Sequence, residues 1–255
     1  MKEDEKKLEE IEEVIQKEDE KLREELLRQQ EKAEKEQKER EEFLAKWAPK
    51  TNLGKDVMAG KYKNIDEIFE KGLKIMEPEI IDYFGGFQSE ILNIGQAKGK
   101  FGGGKRRAWR QTQKKTEEGN KLTFSVMVAV GDEKGHVGIG LGRASETLPA
   151  REKALRKAKV SLIKVKRGCA SFDCGCAEKH SIPSKVQGKC GSYKIVLMPA
   201  PRGTGLVAGD EVKKILRLAG IKDVYTRSFG KSRTTINVAF AVIDALEKLN
   251  YLKTN

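Results

Sequence analysis

Lys121-Leu-Thr-Phe-Ser-Val-Met-Val-Ala-Val130, Gly131-Asp-Glu-Lys-Gly135 and His136-Val-Gly-Ile-Gly-Leu-Gly142 follow one another without a break, and their reading decides the fold. Leu122, Phe124, Val126, Val128 and Val130 alternate with mostly smaller residues, the period of a half-buried strand. Gly131 to Gly135 is turn chemistry, with glycines free to take positive φ. In the next run Val137, Ile139 and Leu141 alternate with Gly138, Gly140 and Gly142, so one face of a second strand is apolar and the other nearly bare backbone. Glycine in a strand gives up entropy and contacts, and three in a row of alternate positions point to another backbone approaching that face. Pro149 then suits the first turn of a helix. Ala150, Ala154 and Ala158 recur every four residues along it, a small-residue face able to pack tightly on the sheet. Lys153, Arg156, Lys157 and Lys164 fall at offsets that place them together on the opposite side, as a basic stripe.

Working outward, 255 residues with 38% hydrophobic and 35% charged content leave room for two small domains and an extension. The formal net charge of +12 points to a polyanionic partner. It is unevenly spread. Residues 1–42 hold 11 Lys+Arg against 18 Asp+Glu, which leaves 40 against 21 for the rest of the chain. That acidic segment lacks Gly and Pro and is rich in helix formers, so a long charged helix is expected there. Leu8, Ile11, Ile15, Leu22 and Leu26 give it only a thin apolar stripe, consistent with a solvated helix or a docked one. No run of eighteen apolar residues exists and the N-terminus does not read as a signal peptide, so a soluble cytosolic protein without a membrane partner is expected.

Phe43, Leu44 and Trp47 begin the packed part. Residues 47–54 read as an extended connector. Ile65, Ile68, Phe69, Leu73 and Ile75 indicate a short amphipathic helix, and Pro78 opens another that Gly85-Gly86 stops. Glu90 to Ile94 reads as a strand. Residues 95–121 form a glycine-rich basic loop carrying Lys98, Lys100, Lys105, Arg106, Arg107, Arg110, Lys114, Lys115 and Lys121, with Phe101 and Trp109 among them. Cations beside an aromatic on such a loop can contact phosphates and stack on unpaired bases. Residues 166–192 read as a cysteine-rich connector. After it come a strand from Tyr193, a helix near Asp210–Ala219, a strand near 221–226 and a final helix from Thr235, which together imply a second, α+β domain. The expected divisions are 1–44, 45–87, 88–165, 166–192 and 193–255.

Several chemical motifs can be weighed. Gly138-x-Gly140-x-Gly142 has the wrong spacing for a dinucleotide-binding turn and lies inside a strand. Gly230-Lys231-Ser232 resembles the end of a phosphate loop, but Tyr225 stands where its first glycine belongs. Cys169, Cys174, Cys176 and His180 could hold Zn²⁺ as three thiolates and an imidazole. The Cys-x-Cys spacing is tighter than usual, and reduced cysteines packed in a connector account for the residues equally well. His136 stands alone in the pattern and His180 neighbours only Ser181, so no catalytic grouping emerges and no enzyme is expected.

Val128-Ala-Val-Gly-Asp-Glu-Lys-Gly-His-Val-Gly-Ile-Gly-Leu-Gly-Arg-Ala144 resembles the signature hairpin of the universal small-subunit ribosomal protein family S-five. Pro199-Ala-Pro-Arg-Gly-Thr-Gly-Leu206, Leu218-Ala-Gly-Ile-Lys-Asp-Val224 and Thr234-Thr-Ile-Asn-Val238 resemble its second domain, in order. Trp47-Ala-Pro-Lys-Thr51, Arg167-Gly-Cys169 and His180-Ser-Ile-Pro183 resemble the archaeal and eukaryotic branch. The resemblance spans roughly residues 45–250. It implies an α+β fold with a double-stranded-RNA-binding-like N-terminal domain and a left-handed βαβ-type C-terminal domain. It implies a structural role in the cytoplasmic ribosome, on small-subunit rRNA, beside ribosomal proteins S-four and S-eight and close to mRNA where it enters and is decoded. The RNA contacts expected are the loop residues Lys98, Lys100, Lys105, Arg106, Arg107, Trp109, Arg110, Lys114, Lys115 and Lys121. To these are added Gly138, Gly140 and Gly142 on the glycine face, Arg143 next to them in sequence, Lys153, Arg156 and Lys157 on the helix, and Arg202 and Arg233 in the second domain. On this reading a side chain at Gly140 impairs assembly and leaves the domain itself stable. A free double-stranded-RNA-binding regulator is the rival reading.

Overall fold

The alternation at 122–130 does build a strand, but both of its faces are covered. In the computed structural model, which describes residues 47–96, 106–169, 174–176 and 178–251, this strand is β3 (Gly119–Gly131). The helix expected over residues 1–42 and the loop residues Lys98, Lys100, Phe101 and Lys105 lie outside the described residues. Pro49–Asn255 form one compact unit.

β1 (Gln88–Leu92) and β2 (Trp109–Thr116) pair end to end along one edge of β3, and β4 (His136–Ala144) takes the other. Two residues of β5 (Ile163–Lys164) complete this sheet beside β4. Val126, Val128 and Val130 pack under α4 (Thr147–Val160), on Ala150, Ala154 and Ala158. Met127 and Ala129, on the reverse face, join the core shared with the C-terminal half. A strand buried on both sides explains why every residue from Ser125 to Gly131 is buried.

The bare glycine face of β4 meets the chain's own helix. Gly138, Gly140 and Gly142 lie opposite Val130, Val128 and Val126 and therefore on the α4 side of the sheet. A Cβ at Gly138 would fall within 3.0 Å of Ala158 O, one at Gly140 of Ala154 O, and one at Gly142 of Ala150 O. The spacing is geometric. Two strand residues advance about 6.6 Å and four helical residues about 6 Å, so one glycine meets one alanine per turn. This corrects the expectation that these glycines face RNA: the approaching backbone was the nearest one in sequence. Lys164 is corrected too. The helix stops at Val160, with Ser161 donating to Ile139 O at 2.6 Å, so Lys164 sits in β5 and leaves the basic stripe.

Upstream, the connector expected at 47–54 ends sooner, because Thr51 accepts from Gly54 N and caps α1 (Asn52–Met58). α2 (Ile65–Glu70) stops short of Leu73 and Ile75 at Gly72, whose φ is +68°. α3 (Glu79–Phe84) ends at Gly85 as expected and is tied to α4 by Lys159 and Asp82, 2.5 Å apart. The second half adds β6 (Val186–Cys190), β7 (Tyr193–Pro199), β8 (Leu206–Val207), α5 (Asp210–Leu218), β9 (Val224–Phe229) and α6 (Thr235–Tyr251). The sheet order is β6-β7-β9-β8, antiparallel except for the parallel pair β8–β9, which α5 connects. β6 falls inside the expected connector and repeats the glycine device: a Cβ on Gly188 would collide with Ala241 O of α6.

Both halves share one core. Met127, Ala129, Val137 and Ile139 pack in a single cluster with Ile215, Leu216, Leu218, Val242 and Leu246. The β3–β4 turn is fastened to the end of α5 by Glu133 N donating to Leu218 O at 2.9 Å. Arg167 donates to Glu133 O, Lys134 O and Gly220 O, stitching the same seam.

Gly140→Ala should destabilise the whole unit, by overpacking of about 1–3 kcal/mol or more. In a chain of this size that lowers the thermal midpoint by about 2–4 °C per kcal/mol. An unchanged midpoint would mean that α4 does not pack on this face.

Candidate nucleic-acid interface and metal centre

β2 and the first half of β3 run past the end of β4, whose pairing begins at Phe124. Residues 112–123 are thus a two-stranded ribbon standing clear of the rest of the sheet, where the sequence had suggested only a loop. Strand alternation puts Arg110, Thr112 and Lys114 on one face, with Lys121 directly opposite Lys114. Trp109 and Leu122 lie on the other face, each 38% exposed. Like charges placed opposite each other on a ribbon weaken it, and an isolated two-stranded ribbon is marginal in water.

The second basic surface is the flank of α4 that borders the end of β4. Lys153, Arg156 and Lys157 are exposed, and with Arg143 of β4 they surround Leu141 in a shallow recess. Lys153 and Lys157 are one turn apart, again a like-charge pair that costs helix stability. Ala150, Ala154 and Ala158 fix the neighbouring face against the sheet, so these cations are displayed by a rigid element. A third group joins Arg106 and Arg233, whose main chain accepts from Arg106 Nη1 at 3.0 Å. Arg107 contributes a carbonyl, which accepts from Gly95 N at 2.8 Å. Arg202 is exposed and ion-paired with Glu178 at 3.1 Å.

The cysteine cluster assembles. One ligand atom from each of Cys169, Cys174, Cys176 and His180 lies within 4.8 Å of the others. Cys174 Sγ is 3.0 Å from Cys176 Sγ and 3.6 Å from His180 Nε2. The hydrogen bond with Cys176 draws the Cys174 thiol down to about 6, and the same bond pushes Cys176 up to about 11. His180 is buried, and its Nδ1 lies 2.7 Å from Asp223 Oδ2.

Sequence reasoning missed Asp223. Besides holding His180 it accepts from Gly203 N at 3.1 Å and Gly205 N at 2.8 Å, so the same carboxylate shapes the 199–205 loop. Ser181 Oγ donates to the Asp223 carbonyl, not to His180, so Ser181 and His180 do not form a nucleophile–base pair. Cys190 lies in β6, away from this cluster.

His136 does not stand alone, contrary to the pattern. Its Nδ1 is 2.6 Å from Asp132 Oδ2, its Nε2 is 3.3 Å from Asp66 Oδ1, and its ring stacks on Phe69 with centroids 5.4 Å apart. Lys164 is spent on the same patch, 2.6 Å from Asp66 and 3.1 Å from Glu70. These contacts hold α2 against the sheet.

Two family models match the chain. One described as Ribosomal protein S5, N-terminal domain, covers residues 108–166, and one described as Ribosomal protein S5, C-terminal domain, covers residues 188–254. Proteins named small ribosomal subunit protein uS5 are similar over most of the sequence. That of Nanoarchaeum equitans is 51% identical over 211 residues, 82% of this chain and 90% of its own. That of Staphylothermus marinus is 48% identical over 206 residues, 80% of this chain and 89% of its own. That of Methanobrevibacter smithii is 46% identical over 213 residues, 83% and 93% of the two chains.

The Lys164 ammonium holds the Asp66 carboxyl below its ordinary 3.8. A depressed carboxylate contributes stability above the unfolded value and loses it as pH falls through the folded one. The difference in urea midpoint between wild type and Lys164→Met should therefore be present at neutral pH and shrink below about pH 3.8. A difference independent of pH would show that Lys164 acts by packing alone.

Proposed function

The chain belongs to the ribosomal protein S5 family, and from that premise we propose how its surface meets the small ribosomal subunit. The protein is a structural, non-enzymatic constituent of that subunit; it binds ribosomal RNA and serves translation in the cytoplasm.

The observation that carries the interface is the rigid, exposed row Lys153, Arg156 and Lys157 beside Arg143, whose shared recess no described acid lines. This surface takes RNA phosphates, and Arg110, Lys114, Lys115 and Lys121 of the ribbon take a second strand or groove. Trp109 offers a half-exposed ring for stacking on a base. Arg106, Arg107, Arg202 and Arg233 extend the contact into the C-terminal half, and Lys98, Lys100 and Lys105 extend it by charge alone. The order α3, then β1 to β4, then α4 supports a double-stranded-RNA-binding-like N-terminal domain, and the parallel β8–β9 pair across α5 supports the left-handed βαβ-type second one. The family resemblance adds proteins S-four and S-eight as neighbours and a position where mRNA enters and is decoded, hence an influence on fidelity.

The cysteine cluster fits Zn²⁺. Three sulfurs and an imidazole nitrogen are the donor set of a closed structural site, and a carboxylate on the far ring nitrogen is the usual support of a zinc-ligating histidine. Bound zinc would supply a cross-link. Cys169, Cys174, Cys176 and His180 would hold it, and Asp223 would fix the tautomer that leaves Nε2 free for the metal.

Replacing Lys153, Arg156 and Lys157 together with Ala should reduce the slope of log affinity for small-subunit rRNA against log salt by about 0.7–0.9 per lost contact. An unchanged slope would turn this face toward solvent or protein. Association with assembled subunits should also survive salt that strips a free double-stranded-RNA-binding regulator; loss at the same salt favours that rival. For the metal, elemental analysis of purified subunits should find about one zinc fewer per protein after Cys174→Ser. Equal zinc in both would leave the cysteines as packing residues.

A further inference from the structure

Between the two halves of the unit, where β2 begins and α6 starts, lies a cavity of about 620 Å³. Arg106, Arg110 and Arg233 line it, together with Gly95, Gln96 and Thr235, and among the described residues no acid does. Arg106 and Arg110 come from the segment that enters β2 and Arg233 from the start of α6, and the fold gathers the two segments in one place. Gly95 makes the gathering possible: a Cβ there would collide with the carbonyls of Arg107 and Trp109. Arg106 is steered by its bond to Arg233 O.

The floor of the cavity is the first turn of α6, a 17-residue helix with no acidic side chain in that turn. Helix N-termini carry partial positive charge and receive phosphate elsewhere; here Thr235 N already donates to Arg233 O and Asn237 N to Thr234 O, so what the turn offers is chiefly that charge. Thr235 lies in this turn with only 7% of its surface exposed, and its Oγ1 has no hydrogen-bond partner. A hydroxyl so buried and unpaired is costly unless something arrives to bond it. The adjoining recess, which Arg106 and Thr235 also line, carries two acids, Asp210 and Glu211; Glu211 is engaged by Asn93 N at 2.9 Å and Lys214 Nζ at 3.3 Å.

We propose that this cavity is a specific phosphate seat, in which Arg106, Arg110, Arg233, the Thr235 hydroxyl and the α6 N-terminus together hold one phosphodiester of ribosomal RNA. The inference rests on the rRNA-binding reading and adds to it a single site spanning both halves of the fold. RNA is the source favoured over a free nucleotide because Arg110 continues directly into the Lys114–Lys121 face of the ribbon, along which a strand carries its next phosphates. Seating it there would also set the angle between ribbon and second domain.

The test uses the full chain and naked small-subunit rRNA, with affinity measured against salt for wild type, Arg233→Ala and Thr235→Val. Arg233→Ala should flatten the salt slope by about 0.7–0.9. Thr235→Val keeps the shape and removes only the hydroxyl, so affinity should drop about two- to tenfold, the worth of one hydrogen bond. Its thermal midpoint should stay level or rise, because an unsatisfied buried group has gone; a merely structural threonine would show the reverse. Wild-type binding by both variants, with the Lys153/Arg156/Lys157 triple variant still defective, overturns the phosphate seat and leaves the rRNA reading intact. Failure of the wild-type chain to bind rRNA removes both. Should millimolar inorganic phosphate raise the midpoint of wild type but not of Thr235→Val while rRNA binding is equal in the two, the seat belongs to a free phosphate and the RNA assignment falls.

Discussion

The structure hangs on a backbone-to-backbone contact. Gly138, Gly140 and Gly142 on β4 have no side chains because Ala150, Ala154 and Ala158 of α4 lie where those side chains would be. A helix pressed this closely on a sheet loses the freedom to slide or roll, since each alanine is registered against one glycine. Its flank is then fixed in direction, and that flank carries Lys153, Arg156 and Lys157 beside Arg143 of β4. The packing defect that glycine introduces in a strand is thus exchanged for a precisely aimed row of charge. Gly188 against Ala241 and Ala245 repeats the solution in the second sheet.

From that contact the remaining architecture follows outward. With α4 covering one face of β3, the other face is available to the C-terminal half, and Met127, Ala129, Val137 and Ile139 enter a common core with α5 and α6. Arg167 and the Gly131–Gly135 turn lock the seam. The cations left over are arranged against local stability: Lys114 faces Lys121, Lys153 sits one turn from Lys157, and three arginines ring a cavity over a helix N-terminus. Surfaces that oppose their own folding in this way are complementary to a polyanion, which offsets the repulsion once bound.

How much of this the sequence disclosed depends on how far apart the partners lie. The alternation of β3 and β4 and the four-residue alanine repeat were legible because both are local periods. The bare face of β4 was legible too, but periodicity cannot say which backbone fills it, and the intramolecular helix was passed over for RNA. Lys164 was misplaced by continuing the helical phase past Ser161, where the chain turns into β5. β2 escaped notice because all but the last of its residues are exposed, so it has no apolar alternation to read. The cysteine cluster was visible in its spacing, whereas Asp223, 43 residues beyond His180, had no pattern to tie it there. The same holds for Asp66 at His136 and for Arg106 at Arg233: contacts between distant segments are products of the fold.

The most direct measurement is a density map of the native small subunit at a resolution that shows side chains and phosphates. The account predicts rRNA backbone against Arg143, Lys153, Arg156 and Lys157, with a second stretch of RNA along Arg110, Lys114 and Lys121, while the glycine face of β4 remains closed beneath α4. A map with those cations turned to solvent or to protein, or with α4 lifted from Gly138, Gly140 and Gly142, would contradict it.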